Sequence, residues 1–129
     1  MTKPQALIVE DNAMNTEVLR TLLETNGLEA VTITSPKEIL SVVQQMSNLQ
    51  VVFLDLEFPN ASGFDVNRQL IEMGWDPHIP IVAYSVHTSE VDRVRREGFH
   101  SFLGKPVDPL KFTQQLADIL AGKRTWSIP

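Results

Sequence analysis

The stretch Val51–Phe64, VVFLDLEFPNASGF, decides the fold. It opens with four apolar residues in a row, Val51, Val52, Phe53 and Leu54. A run of this length and type suits a strand covered on both faces, as in a parallel sheet. The run then ends on Asp55, although taking an isolated carboxylate out of water is costly. A strand this apolar needs a reason to end on an acid. Pro59 and Gly63 shape the loop that follows. Ser62 and Asp65 resemble a capping box, with Asp in place of Glu or Gln, opening a helix that carries Val66, Leu70 and Met73.

Working outward from this strand, short apolar runs alternate with amphipathic ones. Residues 6–9, ALIV, form the first strand. Met14, Val18, Leu22 and Leu23 recur at helical spacing, and Asn26-Gly27 stops that helix. Residues 28–34, LEAVTIT, read as the second strand; Pro36 starts a second helix with Ile39, Leu40, Val43 and Met46 inward. Residues 81–85, IVAYS, and 101–103, SFL, read as the fourth and fifth strands. Between them Thr88 or Ser89 is expected to cap a charged helix whose inner face is only Val91 and Val94, the most weakly held of the set. Pro109 starts the last helix, with Phe112, Leu116, Ile119 and Leu120 inward and Gly122 at its end. Five strand–helix units in strict alternation predict an α/β fold with a parallel sheet between two helical layers. The chain of 129 residues suits a single domain over 1–129, with a core of about residues 4–121 and a short tail at 122–129. Trp126 in that tail packs back on the domain, docks on a partner or belongs to a loosely ordered terminus.

Composition narrows the class. A net charge of -5 argues against a non-specific nucleic-acid surface. The absence of cysteine excludes disulfides, thiol chemistry and cysteine zinc sites. No run of about 18 apolar residues exists to span a membrane, and residues 1–11 lack the apolar core and cleavage site of a signal peptide. The expectation is a soluble cytoplasmic domain. His78, His87 and His100 are scattered, and no metal role is expected of them. Arg93, Arg95 and Arg96 form either a solvated helix face or a partner surface.

In open α/β sheets ligands bind beyond the carboxyl ends of the strands. Glu10-Asp11, Asp55 and Ser85 end the first, third and fourth strands, and the fifth runs into Lys105-Pro106. Three carboxylates, a hydroxyl and an ammonium would converge on one rim. Gathered carboxylates repel unless a cation separates them. Oxygen ligands without His or Cys suit a hard ion, and Mg²⁺ is the usual one beside phosphate. A carboxylate can also serve as a nucleophile and form an acyl phosphate.

Taken together, LIVEDN, VVFLDLEFPNASGF, IVAYS and FLGKPV, in this order and at this spacing, resemble the response-regulator receiver domains of two-component signalling. The resemblance covers roughly residues 4–121. It implies a flavodoxin-like (βα)5 fold, doubly wound, with a five-stranded parallel sheet in the order 2-1-3-4-5. It implies that Asp55 accepts a phosphoryl group and that Glu10, Asp11, Asp55 and the backbone carbonyl of Glu57 hold Mg²⁺. Ser85 matches the switch hydroxyl, Lys105 the phosphate-pairing lysine, and Phe102 the switch aromatic, although plain core filling accounts for Phe102 equally well. A cis Lys105-Pro106 bond is implied as well. Partners would be a histidine kinase or a histidine phosphotransfer protein. The readout face would be the fourth helix, fifth strand and fifth helix. The expected chain is a stand-alone receiver, monomeric or weakly dimeric, and no enzyme beyond its own phosphorylation and dephosphorylation at Asp55.

Three departures stand out. Val86 follows Ser85, where a small residue is usual, and could slow entry of donor or water. Glu57 and His87 lie two residues after Asp55 and Ser85 and flank the entrance. Phe58 replaces a common Met. Two rival readings are a phosphorylation-independent docking module and a Mg²⁺-dependent aspartyl phosphatase. The second typically carries an Asp where Glu57 stands, together with a cap insertion. Asn12 is expected to cap the first helix rather than to bind a ligand.

Overall fold

The computed structural model describes residues 3–128. The chain alternates strand and helix: β1 (Gln5–Val9), α1 (Ala13–Thr25), β2 (Glu29–Ile33), α2 (Ile39–Gln45), β3 (Leu49–Asp55), a small hairpin of β4 (Glu57–Phe58) and β5 (Ala61–Ser62), α3 (Gly63–Glu72), β6 (Ile81–Ser85), α4 (Val91–Arg96), β7 (Ser101–Gly104), α5 (Pro109–Leu120) and β8 (Trp126–Ser127). The main sheet runs β2-β1-β3-β6-β7-β8, and all its pairings are parallel. Its first five strands are the five expected ones in the expected 2-1-3-4-5 order. The sixth, β8, comes from the segment around Trp126, which packs back on the domain beside β7.

Side-chain alternation along each strand splits the core into two layers. On one face Leu7, Val9, Val52, Leu54, Ala83 and Phe102 meet Ile39 of α2, Phe64 and Leu70 of α3, and Val94 of α4. On the other face Ala6, Ile8, Val51, Phe53, Val82 and Leu103 meet Leu19 and Leu23 of α1 and Phe112, Leu116 and Ile119 of α5. The period of two in a strand sends neighbours to opposite faces, so a strand buried on both must be apolar throughout. That is the physical origin of the run Val51–Leu54.

Local signals set most helix ends. Asn12 caps α1, its Oδ1 accepting from the Met14 and Asn15 amides at 3.0 and 3.4 Å. Asp108 caps α5 through the Leu110 amide at 2.9 Å. Gly27 and Gly122 follow α1 and α5 with φ of 86° and 89°, a conformation that suits glycine.

Four local expectations need correction. The inward stripe of α1 is rotated: Leu19 and Leu23 are buried, whereas Met14 and Val18 are exposed, and Thr16 turns in because its hydroxyl donates to the Ala13 carbonyl at 2.7 Å. Leu40, Met73 and Leu120 likewise end exposed at the margins of their apolar stripes. Ser62 caps α3 through the Phe64 amide, but Asp65 pairs with Arg68 at 3.1 Å instead of completing a capping box. Thr88 and Ser89 lie within a 3-10 turn (Thr88–Glu90) rather than capping α4 with a side chain. Helix α4 is short, and Val94 is its one fully enclosed residue.

Candidate functional site

The carboxyl ends of β1, β3, β6 and β7 line one rim of the sheet, where a cavity of about 430 Å³ opens. Its walls include Glu10, Asp11, Asp55, Glu57, Ser85, Val86, His87 and Lys105. Parallel register brings these groups together from positions far apart in the chain. Val9 and Leu54 are level across β1 and β3, so Glu10 and Asp55 both follow directly at the rim. Asp55 is level with Tyr84, and Ser85 with Gly104.

Glu10, Asp11 and Asp55 each offer a carboxylate oxygen within 4.8 Å of the others. Glu10 is enclosed, Asp55 nearly so, and Asp11 faces solvent. Lys105 answers this charge: its Nζ pairs with Glu10 Oε2 and stands 3.4 Å from Asp55 Oδ2. The same ammonium lies 4.7 Å from the centre of the Tyr84 ring. The other Asp55 oxygen accepts from the Glu57 amide at 3.2 Å, and Glu10 Oε1 accepts from the Asn12 amide at 3.2 Å. Burial pushes the Glu10 carboxyl up to about 7, against the pull of Lys105, with Asp55 adding to the rise. Burial also pushes the Tyr84 phenol up to about 12, and Glu10 and Asp55 add to it. The donor set is all oxygen, compact and part-exposed on the Asp11 side, which fits a hard divalent cation of the Mg²⁺ type.

Ser85 is buried, its Oγ accepting from the His87 amide at 3.0 Å. Its carbonyl accepts from the Lys105 amide at 2.8 Å, which ties β6 to the lysine. The Lys105-Pro106 bond is cis. Val86 is largely exposed at the cavity wall. His87 and Glu57 meet across the mouth, with Nε2 and Oε1 2.8 Å apart. Phe102 does not line the cavity; it is enclosed in the α3/α4 core layer three residues before Lys105. His78 and His100 lie away from this rim.

Gly63 supports the site from behind. A Cβ there would fall 2.2 Å from the Asp55 carbonyl oxygen and 2.7 Å from the Leu56 Cα. The Gly63 amide donates to the Leu56 carbonyl at 2.8 Å, so the start of α3 rests directly on the backbone that carries the acid. Two contributors escaped the sequence reading. Tyr84 escaped because a strand aromatic reads as core. The Glu57–His87 contact escaped because two residues flanking an entrance need not touch.

Comparison with known proteins agrees with this geometry. A family described as the response regulator receiver domain matches residues 6–117. The polar-differentiation response regulator DivK of Brucella ovis is 29% identical over 122 residues, covering 93% of this chain and 98% of DivK. DivK of Brucella anthropi is 27% identical over 116 residues, covering 88% and 94%. Among solved structures, a CheY-like response regulator receiver domain from Methylobacillus flagellatus is 30% identical, with a TM-score of 0.77 over 92% of this chain and 99% of that one. A response regulator receiver protein from Burkholderia phymatum is 25% identical, with a TM-score of 0.77 over 98% and 99%. With the acidic rim, the lysine and the sheet order in place, this chain belongs to the response regulator receiver domain family of two-component systems.

Proposed function

We propose that this chain is a phosphorylation-operated switch in which Asp55 takes a phosphoryl group from the phosphohistidine of a histidine kinase or a histidine phosphotransfer protein. The observation that carries the reading is the setting of Asp55. Its two oxygens face the Lys105 ammonium at 3.4 Å and the Glu57 amide at 3.2 Å, and Glu10 and Asp11 complete an acidic group around it. In the transfer, an Asp55 oxygen attacks phosphorus, the phosphorus–nitrogen bond breaks, and the imidazole leaves with the electron pair and takes up a proton. Phosphoryl transfer asks the protein mainly for positioning and charge stabilisation. The Glu57 amide holds one oxygen of the Asp55 carboxylate through a hydrogen bond of 3.2 Å. Glu10, Asp11, Asp55 and the Glu57 carbonyl would hold Mg²⁺, which when bound supplies positive charge beside the phosphoryl oxygens.

Once formed, the acyl phosphate carries more charge and more acceptors than the carboxylate did. Lys105, already between Glu10 and Asp55, follows the phosphoryl oxygens. The Ser85 hydroxyl turns to donate to one of them, and Phe102 responds through β7. Attack of water on phosphorus breaks the new phosphorus–oxygen bond and restores the carboxylate. Output is a protein contact at the α4–β7–α5 face or onward transfer of the phosphoryl group. The reading implies a cytoplasmic, monomeric or weakly dimeric chain; no helix among the described residues is long and apolar enough to cross a membrane. The phosphatase reading gains nothing from Glu57, whose side chain pairs with His87 at the mouth.

The test is incubation with acetyl phosphate, with and without Mg²⁺, followed by intact mass spectrometry. One added phosphoryl group that requires Mg²⁺ and is lost in Asp55→Asn is expected. Uptake that survives Asp55→Asn overturns the assignment.

A further inference from the structure

The edge of β7 is covered by the chain itself, in a manner that resembles a bound peptide. Phe102 is level with Trp126 and Leu103 with Ser127. The Phe102 amide donates to the Thr125 carbonyl at 2.8 Å, and the Thr125 amide donates to Ser101 Oγ at 2.9 Å. Side-chain recognition sits on both sides. The Arg95 guanidinium lies 4.8 Å from the centre of the Trp126 ring, and Gln115 Nε2 donates to Ser127 Oγ at 2.8 Å. Arg124 donates to the Phe99 and His100 carbonyls at 3.3 and 3.4 Å.

Each element of strand addition is present: main-chain bonds along an edge, a seat for one large side chain, and a polar clamp for the next. The grip is short, with two residues in register, and Trp126 and Ser127 are only half-buried. Lys123 and Arg124, which lead into the strand, are exposed. We propose that the β7 edge is a docking site for an extended, parallel partner segment bearing an aromatic residue followed by a hydroxyl residue, and that Thr125–Ser127 occupies it as a resident competitor. A tethered occupant acts at an effective concentration of about millimolar. A partner reaches the edge by exchange, and loosening the resident strand raises its apparent affinity. This inference deepens the reading of the α4–β7–α5 face as the output surface and rests on it for its location; its contacts lie away from the Asp55 rim, so loss of peptide capture with phosphoryl uptake intact fails this inference alone.

The test uses the full chain and a fluorescein-labelled peptide, Lys-Arg-Thr-Trp-Ser-Ile, which copies residues 123–128. Fluorescence anisotropy should show at least tenfold tighter binding to Trp126→Ala than to the parent. The peptide with Ala in place of Trp should bind neither, and adding Arg95→Ala to Trp126→Ala should weaken capture. Hydrogen exchange gives a second readout: the Phe102 amide is protected in the parent, faster in Trp126→Ala, and protected again when peptide is added. If Trp126→Ala does not fold, Arg124→Ala should give the same changes in smaller degree. Equal binding to parent and variant overturns the proposal, as does binding that ignores the peptide's Trp. A concentration-dependent dimer that the peptide cannot disperse also overturns it, in favour of strand exchange between two copies.

Discussion

Gly63→Ala probes the physical support of the acidic site. The new Cβ would lie 2.2 Å from the Asp55 carbonyl oxygen, well inside the 3.0 Å that Cβ atoms essentially never breach, and 2.7 Å from the Leu56 Cα. Both obstacles are main chain, so no side-chain rotation relieves them. Either α3 withdraws by the better part of an ångström or the end of β3 moves. Overpacking of this kind costs typically about 1–3 kcal/mol, and an obstacle made of backbone belongs at the upper end. For a domain of this length each kcal/mol is worth roughly 4 °C, so Tm should fall by about 12 °C. Gly122→Ala is the matched control. Gly122 has φ of 89° with nothing within 4 Å of its Cβ position, so its cost is conformational only, about 1 kcal/mol. Thermal melts followed by circular dichroism separate the two. Phosphoryl uptake should fall in Gly63→Ala and hold in Gly122→Ala, because only the first displaces Asp55. A Tm for Gly63→Ala within about 3 °C of the parent would refute the view that backbone contact with α3 fixes the acid.

Other consequences concern pH, access and charge. Burial holds the His100 pKa below its usual 6.5, and the nearby Arg124 lowers it further. The unfolded chain then binds more protons, so stability should decline as pH drops through 6.5 and level off below the folded-state pKa; His100→Asn should flatten that slope in urea titrations. Glu57→Ala removes the contact with His87 across the mouth. Both side chains are about half or more exposed, so stability should change by less than about 1 kcal/mol, whereas loss of the phosphoryl group, followed by intact mass over time, should quicken. Val86→Ala opens the cavity wall beside Ser85 and should speed phosphorylation from acetyl phosphate; equal rates would show that Val86 leaves access unaffected. Lys105→Met leaves Glu10 and Asp55 without their shared cation, so metal-free Tm should drop and added Mg²⁺ should restore more of it than in the parent.

The meeting of Glu10, Asp11, Asp55, Ser85 and Lys105 at one rim was legible from sequence because strand chemistry and sheet topology constrain it jointly. A parallel strand buried on both faces must read as Val51–Leu54 does, and its carboxyl end is where an acid meets other strand ends. Residues 10, 11, 55, 85 and 105 therefore declare themselves through position as well as type. The rotation of α1 was not legible, because a single hydroxyl bond from Thr16 lets a polar residue turn in while Met14 turns out. Strand β8 was hidden for a different reason. Two residues carry no periodicity, and Trp126 shows its partner only once Arg95 and Phe102 are beside it. The pairing of Glu57 with His87 joins two loops, so no local pattern encodes it.

The central claim is that Asp55 itself becomes the acyl phosphate. Borohydride reduction of the protein after treatment with acetyl phosphate and Mg²⁺, followed by peptide mass mapping, reads this directly, because an aspartyl phosphate is reduced to homoserine. The account requires homoserine at position 55 and at no other aspartate. Homoserine at Asp11, or full phosphoryl uptake with position 55 unchanged, would contradict it.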